Sequence, residues 1–363
     1  MKYTILLFVI SLSTLTGCDP FHTKIEDQEI KVFTYEAVSK KGNLPTPSSL
    51  NIVTWNIKFG GARVDFFFDC YGDEVLMNET EVLANMAGLS EKIRQMDPDI
   101  IFLQEVDVDS KRSGYVDQVQ YILDHSDLNY GVYAAQWLAD FVPNHGIGQM
   151  NSGNAILSKY PLTNSERIAL PLICEQSGIK KYFYLRRNIL TANVTINANK
   201  IEVLCTHTSA YSNDGTKTQQ IRIIKSKLSS IDAKGNDFII GGDFNNIPPQ
   251  TIKYCEFDDA VCPDDSDFKF SPCSVLVNDL PVMEIFDEYD AAITQEMYLK
   301  NQSLYFSYTS NKDGFWNRKL DYIFTNGNFK SGDGMVHQDI STGGMITMPL
   351  SDHAPISSTY LLK

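Results

Sequence analysis

The chain has 363 residues, 43% of them hydrophobic and 11% aromatic, enough to bury a large core and to exclude disordered and fibrous classes. Its formal charge of −14 disfavours nonspecific binding to polyanions, although a nucleic-acid substrate stays open because local field and any bound cation outweigh the global sum at a site. The 7 cysteines include no Cys-x-x-Cys pair, which argues against a structural zinc site.

Lys2 precedes an apolar stretch from Ile5 to Leu15 that is too short to span a bilayer. Residues 1–17 therefore read as an export signal. Leu15-Thr16-Gly17-Cys18 resembles the lipobox of bacterial lipoproteins, which implies a lipid on Cys18; an ordinary secretory signal is the alternative. The expectation is an exported, membrane-anchored lipoprotein, periplasmic or on the cell surface, with a monomeric body. Residues 18–48, with KIEDQE, SKKG and PTPSS, read as a polar tether, within which KVFTYEAV alternates enough to form a strand. Residues 49–363 read as one domain, because polar words at the ends of apolar runs extend from Asn56 to His353 with no Pro/Gly/Ser-rich linker between them. Export permits disulfides: Cys255, Cys262 and Cys273 are close enough in sequence for a local bridge, whereas Cys205 inside IEVLCT reads as a buried thiol.

LNIVTWNI is a strand apolar on both faces, delivering Asn56 at its end. The insertion GGARVDFFFDCYGDE follows, and packing against the body is the expected fate of Phe66, Phe67, Phe68 and Tyr71, with contact to bases or lipid as alternatives. Val82, Met86, Leu89, Ile93 and Met96 recur at helical spacing, and Asp97-Pro98 stops the helix. DIIFLQEV is a second buried strand, ending at Glu105. The same grammar repeats in IEVLCTH, ending at His207, a helix marked by Ile221, Ile224, Leu228 and Ile231, and DFIIGGDFN, ending at Asp243. NAILSKYPL, YLRRNILTANVTI, KLDYIFTN and HAPISSTYLLK add further strands. The basic residues Lys217, Arg222, Lys225 and Lys227 read as a solvated helix face. The five aspartates between Asp258 and Asp267 lack the regular loop of a calcium site. Many strands with few helices and polar strand ends predict an α+β four-layer α/β/β/α sandwich, two mixed β-sheets packed face to face with helices on the outside.

The words TWNI, LQEV, CTHTSAY, GGDFNN, LDYIF and SDHAPI, in that order, resemble the endonuclease/exonuclease/phosphatase superfamily, which includes pancreatic-type deoxyribonucleases, apurinic endonucleases, inositol polyphosphate phosphatases and bacterial sphingomyelinases. GDFN followed by DYI and SDH is the most specific part, and the resemblance covers roughly residues 50 to 362. It implies a hydrolase acting on phosphate esters with Mg²⁺, or Mn²⁺ or Ca²⁺ in its place. A hard cation takes oxygen ligands, so Glu105, Asn56 and Asp352 are the implied metal group. Asp243 is implied as the activator of water, Asn245 as its neighbour on water or phosphate, His353 as an imidazolium on the phosphate with Asp321 as partner, and His207 as the second histidine. Asn154 and Arg187 are implied in bracing the site or touching phosphate. No residue matches the acid that pairs with the first histidine of pancreatic-type nucleases. Three readings follow: a nuclease-like phosphodiesterase, a sphingomyelinase-type lipid phosphodiesterase, and a non-catalytic surface lipoprotein that binds a phosphate ester such as nucleic acid, phospholipid or sphingolipid.

Overall fold

Two strand-helix-strand units set the frame, and each forms where the sequence period changes from continuous to helical. The computed structural model describes residues 21, 23, 32–42, 47–69, 72–173, 178–197, 199–210, 214–253, 257, 282–338 and 344–363. Strand β1 (Phe33–Glu36) is followed by β2 (Ser49–Asn56), helix α1 (Glu79–Met96) and β3 (Ile100–Asp107). Asn78 caps α1 by accepting from the Glu81 N–H, while Glu81 accepts from the Asn78 N–H, so the orphan donors of the first turn are satisfied reciprocally. At the other end Asp97 adopts φ 47° and returns its N–H to Ile93 and Arg94 before Pro98 prevents continuation.

Helix α2 (Gln118–Asp124) leads into β4 (Tyr130–Val142), β5 (Gly148–Ser158), β6 (Leu162–Ala169), α3 (Gly178–Phe183), β7 (Asn188–Ile196) and β8 (Asn199–His207). The second unit closes with α4 (Thr216–Asp232) and β9 (Asp237–Asp243), and the chain continues through α5 (Met283–Phe286), β10 (Asp290–Ala291), α6 (Gln295–Lys300), β11 (Asp321–Thr325), β12 (Asn328–Phe329), β13 (Met335–Val336) and β14 (Ile356–Leu361). One sheet runs β1-β4-β5-β3-β2-β14-β12, with β13 also on β14; the other runs β10-β11-β9-β8-β7-β6. The pairs β2/β3 and β8/β9 are parallel, as their helical crossovers require, and the remaining pairs are antiparallel.

Alternation along each strand builds the layers. Ile52, Ile100, Phe102 and Ile156 of the first sheet meet Leu190, Val203, Ile239 and Ile323 of the second. On the outer faces, Val53 and Ile101 pack under Met86 and Leu89 of α1, and Phe238 and Ile240 under Ile221, Ile224 and Leu228 of α4. Strands buried on both sides explain why β2 and β3 read as unbroken apolar runs. The architecture is the expected α+β sandwich of two mixed sheets with helices outside, and β1 is the strand expected at KVFTYEAV, paired with β4.

Gly241 of β9 marks how closely the sheets approach, since a Cβ there would come within 2.3 Å of the Phe102 ring. Gly241→Ala therefore overpacks the inter-sheet core, and equilibrium denaturant unfolding should show a loss of about 1–3 kcal/mol. Unchanged stability would mean that the two sheets can slide apart at this point.

Phe59 and Phe66 are buried and Phe67 and Phe68 half-buried, so the aromatic insertion packs onto the body. Phe68 stacks on Trp137 at 5.6 Å between centroids, and the Arg112 guanidinium lies 3.8 Å from the Phe59 centroid while two of its nitrogens bond Asp107. On α4, Arg222, Lys225 and Lys227 pair with Glu284, Glu288 and Glu202. Lys217 departs from the expected solvated face: its Nζ donates to the Asn245 carbonyl at 2.6 Å. Cys205 is a buried free thiol, hydrogen-bonded with Gln104, and burial pushes its pKa up to about 12. The other cysteines, Tyr71 and the Asp258–Asp267 segment lie outside the described residues. Among the described residues no helix is long and apolar enough to cross a membrane.

Candidate functional site

Strand register, rather than proximity in sequence, gathers the site. In the second sheet His207 of β8 stands opposite Asp243 of β9, and Asp243 opposite Asp321 of β11. Three residues in one row across neighbouring strands project to the same face. In the first sheet Asn56 stands opposite Gln104 at the ends of β2 and β3. Glu105 follows at a bulge, where the β3/β5 register shifts between Leu103 and Val106 and Glu105 takes φ 56°. That conformation is costly for a residue with a Cβ and is characteristic of sites where a side chain is re-aimed.

The Asn56 amide joins the two sheets. Its Nδ2 donates to Glu105 Oε1 at 3.1 Å and to Asp243 Oδ2 at 3.2 Å, while its Oδ1 accepts from the Lys58 N–H at 3.0 Å. With its oxygen engaged by backbone and both N–H groups aimed at carboxylates, Asn56 orients acids. Asp243 is buried; Oδ1 accepts the Asn245 N–H at 2.9 Å, and Oδ2 lies 3.4 Å from His207 Nε2 and 3.6 Å from His353 Nε2. Asn245, at φ 47°, is itself held by its Nδ2 bond to the Thr208 carbonyl.

The histidines sit in opposite electrostatic settings. His353 Nδ1 is 2.8 Å from Asp321 Oδ2, which also accepts from the Ser307 hydroxyl at 2.6 Å, and Tyr308 packs on the imidazole with centroids 4.6 Å apart. Burial disfavours the His353 cation, but Asp321 and then Asp243 outweigh it and push its pKa up to about 10. His207 is held well below the ordinary histidine range by burial and by the positive charges of Arg187 and His353, and its Nδ1 has no partner. Asp243 is raised to about 7, first by burial and then by Asp321, against the opposing pull of His353 and of donors from Asn245 and Asn56. A neutral and a charged imidazole flanking a carboxyl that titrates near neutrality is an arrangement suited to proton transfer at an ester.

Asp352 is buried within 3.3 Å of the Lys58 ammonium, whose Nζ also bonds Asp69 Oδ2 at 2.7 Å. Burial works against both charges, yet their pairing holds Lys58 above and Asp352 below its ordinary range. Of the implied metal group, Glu105 is therefore the half-buried carboxylate most open to a cation, with Asp352 committed to Lys58 and Asn56 orienting. Metal-ligating atoms of Asp243, Asp321 and His353 also lie within 4.8 Å of one another, but an imidazolium clamped by Asp321 has no lone pair to offer, so a cation belongs on the Glu105 side. The Glu105 carboxylate beside the buried Asp243 offers the oxygen donors that a hard divalent ion takes, and such an ion would relieve the unfavourable burial of negative charge.

Arg187 is buried with Nη1 3.2 Å from Gln136 Oε1; burial lowers its pKa against the charges of Tyr184, Glu105 and Asp243. Asn154 donates to Asn188 Oδ1 at 3.2 Å, and its own Oδ1 is buried without a partner. Sequence reasoning missed Lys58, Asp69 and Ser307. The pattern at Lys58 and Asp69 carries no local signal, whereas a serine thirteen residues before LDYIF becomes meaningful only once it is seen to meet Asp321.

Residues 53–353 match the family described as Endonuclease/Exonuclease/phosphatase. A search of curated proteins gives no match. Similar solved structures include an endonuclease/exonuclease/phosphatase from Beutenbergia cavernae DSM 12333, at 18% identity and TM-score 0.56 over 87% of this chain and 72% of that one. A family protein from Leptotrichia buccalis C-1013-b gives 15% and 0.53 over 86% and 100%. TDP2 of D. rerio, complexed with a single-strand DNA product, gives 17% and 0.51 over 87% and 100%. At these identities the likeness establishes the shared fold.

Proposed function

The chain belongs to the endonuclease/exonuclease/phosphatase family, whose members hydrolyse phosphoester bonds with a divalent metal, and from that premise we propose that it is an exported phosphodiesterase using Mg²⁺. The carrying observation is the Asn56 amide bridging Glu105 and Asp243 with His353 beside them, because it brings a cation-binding carboxylate, a base and an imidazolium to one point. In this reading Asp243 takes the proton of the attacking water, and its pKa of about 7 suits it to that role near neutral pH. The His353 imidazolium, fixed by Asp321, which the Ser307 hydroxyl holds in turn, donates its Nε2–H toward the phosphate. Asn245, held by Thr208, orients water or a phosphate oxygen, and neutral His207 stands across Asp243 as a second proton carrier. A bound Mg²⁺, held by Glu105, would supply Lewis-acid polarisation of the phosphoryl oxygen and charge neutralisation.

A nucleic-acid phosphodiester is the first substrate to test, supported by the DNA product in one structural neighbour; a sphingomyelinase-type lipid substrate is favoured by an anchor at Cys18, which with the signal in residues 1–17 forms part of this proposal. The full chain with Mg²⁺, offered single-stranded DNA, plasmid, sphingomyelin and bis-p-nitrophenyl phosphate, should hydrolyse at least one of these and lose that activity in EDTA. Inactivity on all of them across several divalent metals would favour the non-catalytic binding lipoprotein. Glu105→Gln should raise the Mg²⁺ concentration for half-maximal activity by about 10–100-fold, and an unchanged metal requirement would move the cation away from Glu105.

A further inference from the structure

Phe21 is pinned between β4 and α3. Its N–H donates to the Tyr182 hydroxyl at 3.4 Å, its carbonyl accepts from the Asp140 N–H at 2.9 Å, and its ring packs between Phe141, Tyr182 and Phe183 at 5.7–6.5 Å between centroids. The next described residue, Thr23, accepts through its carbonyl from Arg186 Nε at 2.8 Å. Around this point the surface carries Phe141 at 48% exposure and Ile179 at 78%, with Lys180 exposed beside Ile179 on α3.

Single exposed apolar side chains are ordinary; these are set apart by their place in the chain. Cys18 precedes Phe21 by three residues, and an extended chain covers at most about 3.6 Å per residue, so an acyl group on Cys18 enters the bilayer within roughly 11 Å of this patch. Apolar side chains at the surface suit the boundary between headgroups and acyl chains, where the ring or aliphatic group is buried. The overall charge of −14 opposes any nonspecific approach to anionic lipid, which makes a tethered, locally matched face the favourable way to meet a membrane.

We propose that Phe21, Phe141 and Ile179 form the face that this protein lays on the bilayer holding the acyl chains of Cys18. The proposal rests on the anchor reading above and adds an orientation to it.

The test uses the full chain, exported by a bacterial host, in vesicles of phosphatidylcholine and phosphatidylglycerol with brominated acyl chains. Phe141→Trp and Ile179→Trp are each compared with Val38→Trp, which is 83% exposed near the opposite end of β4. The native tryptophans Trp55, Trp137 and Trp316 are buried and common to all variants. The expected result is loss of most of the added fluorescence in F141W and I179W and retention in V38W. Equal fluorescence in the three variants, or failure of the protein to remain with the vesicles, overturns the proposal. Intact mass reports the anchor separately: an unacylated Cys18 overturns the anchor and the orientation argued from it, whereas an acylated protein with equal fluorescence in the three variants overturns the orientation alone.

Discussion

Asp243→Asn is expected to lower kcat by about 10³-fold or more while leaving the metal-free protein as stable as the parent, or more so, at pH 8. The carboxyl is raised to about 7 chiefly by burial and by Asp321, above its unfolded value of about 3.9. A carboxyl whose folded pKa is raised binds its proton more tightly when folded, so its contribution to stability is lost as pH rises from about 4 through 7 and is a penalty above that. An amide carries no charge and removes the penalty. Kinetics on bis-p-nitrophenyl phosphate and thermal melts at pH 5 and pH 8 separate the two effects. Turnover within tenfold of the parent would take the role of base away from Asp243, and a large fall in melting temperature at both pH values would show that the residue is needed for packing.

Asp321→Asn should be nearly as damaging, by about 10²–10⁴-fold at pH 8, and its signature is in the pH profile. Against the cost of burial, Asp321 is the first of the charges that push His353 up to about 10. A histidine with a raised folded pKa contributes stability that is fully present below its unfolded value near 6.5 and is lost as pH rises through about 10. Without the Asp321 charge the imidazolium deprotonates at lower pH, so the alkaline limb of kcat/KM should move toward acid and the pH 7–9 region should lose most activity. An alkaline limb in the same place as in the parent would show that another group holds the proton. Partial recovery at pH 6 is the accompanying expectation.

Legibility of the sequence followed the physics of each element. Helix α1 and strands β2, β3, β8 and β9 were readable because burial on one helix face or on both strand faces leaves an unambiguous apolar period. Strand β4 was not, although it is the longest: YGVYAAQWLADFV mixes glycine, alanines and aromatics, and its strand character depends on pairing with β1 and β5. The site words were legible as a set because each stands where an apolar run stops. Their division of labour was not. Whether Asn56 offers oxygen or N–H groups is decided by the Lys58 backbone, and whether Asp352 is available is decided by the Lys58 ammonium and by the insertion that brings Asp69 to it. Asp69 and Asp352 are distant in sequence and meet at Lys58 only after the chain has folded.

The row formed by His207, Asp243 and Asp321 has a consequence for how this protein can change over time. Its spacing is fixed by backbone hydrogen bonds between three adjoining strands, whereas Asp69 and the phenylalanines beside it arrive on an insertion whose described residues contribute no strand to either sheet. Mutational drift in the insertion can alter the pairing of Lys58 and Asp69 without displacing the row itself, so the surroundings of the site can change while the spacing of its acids and histidine is kept.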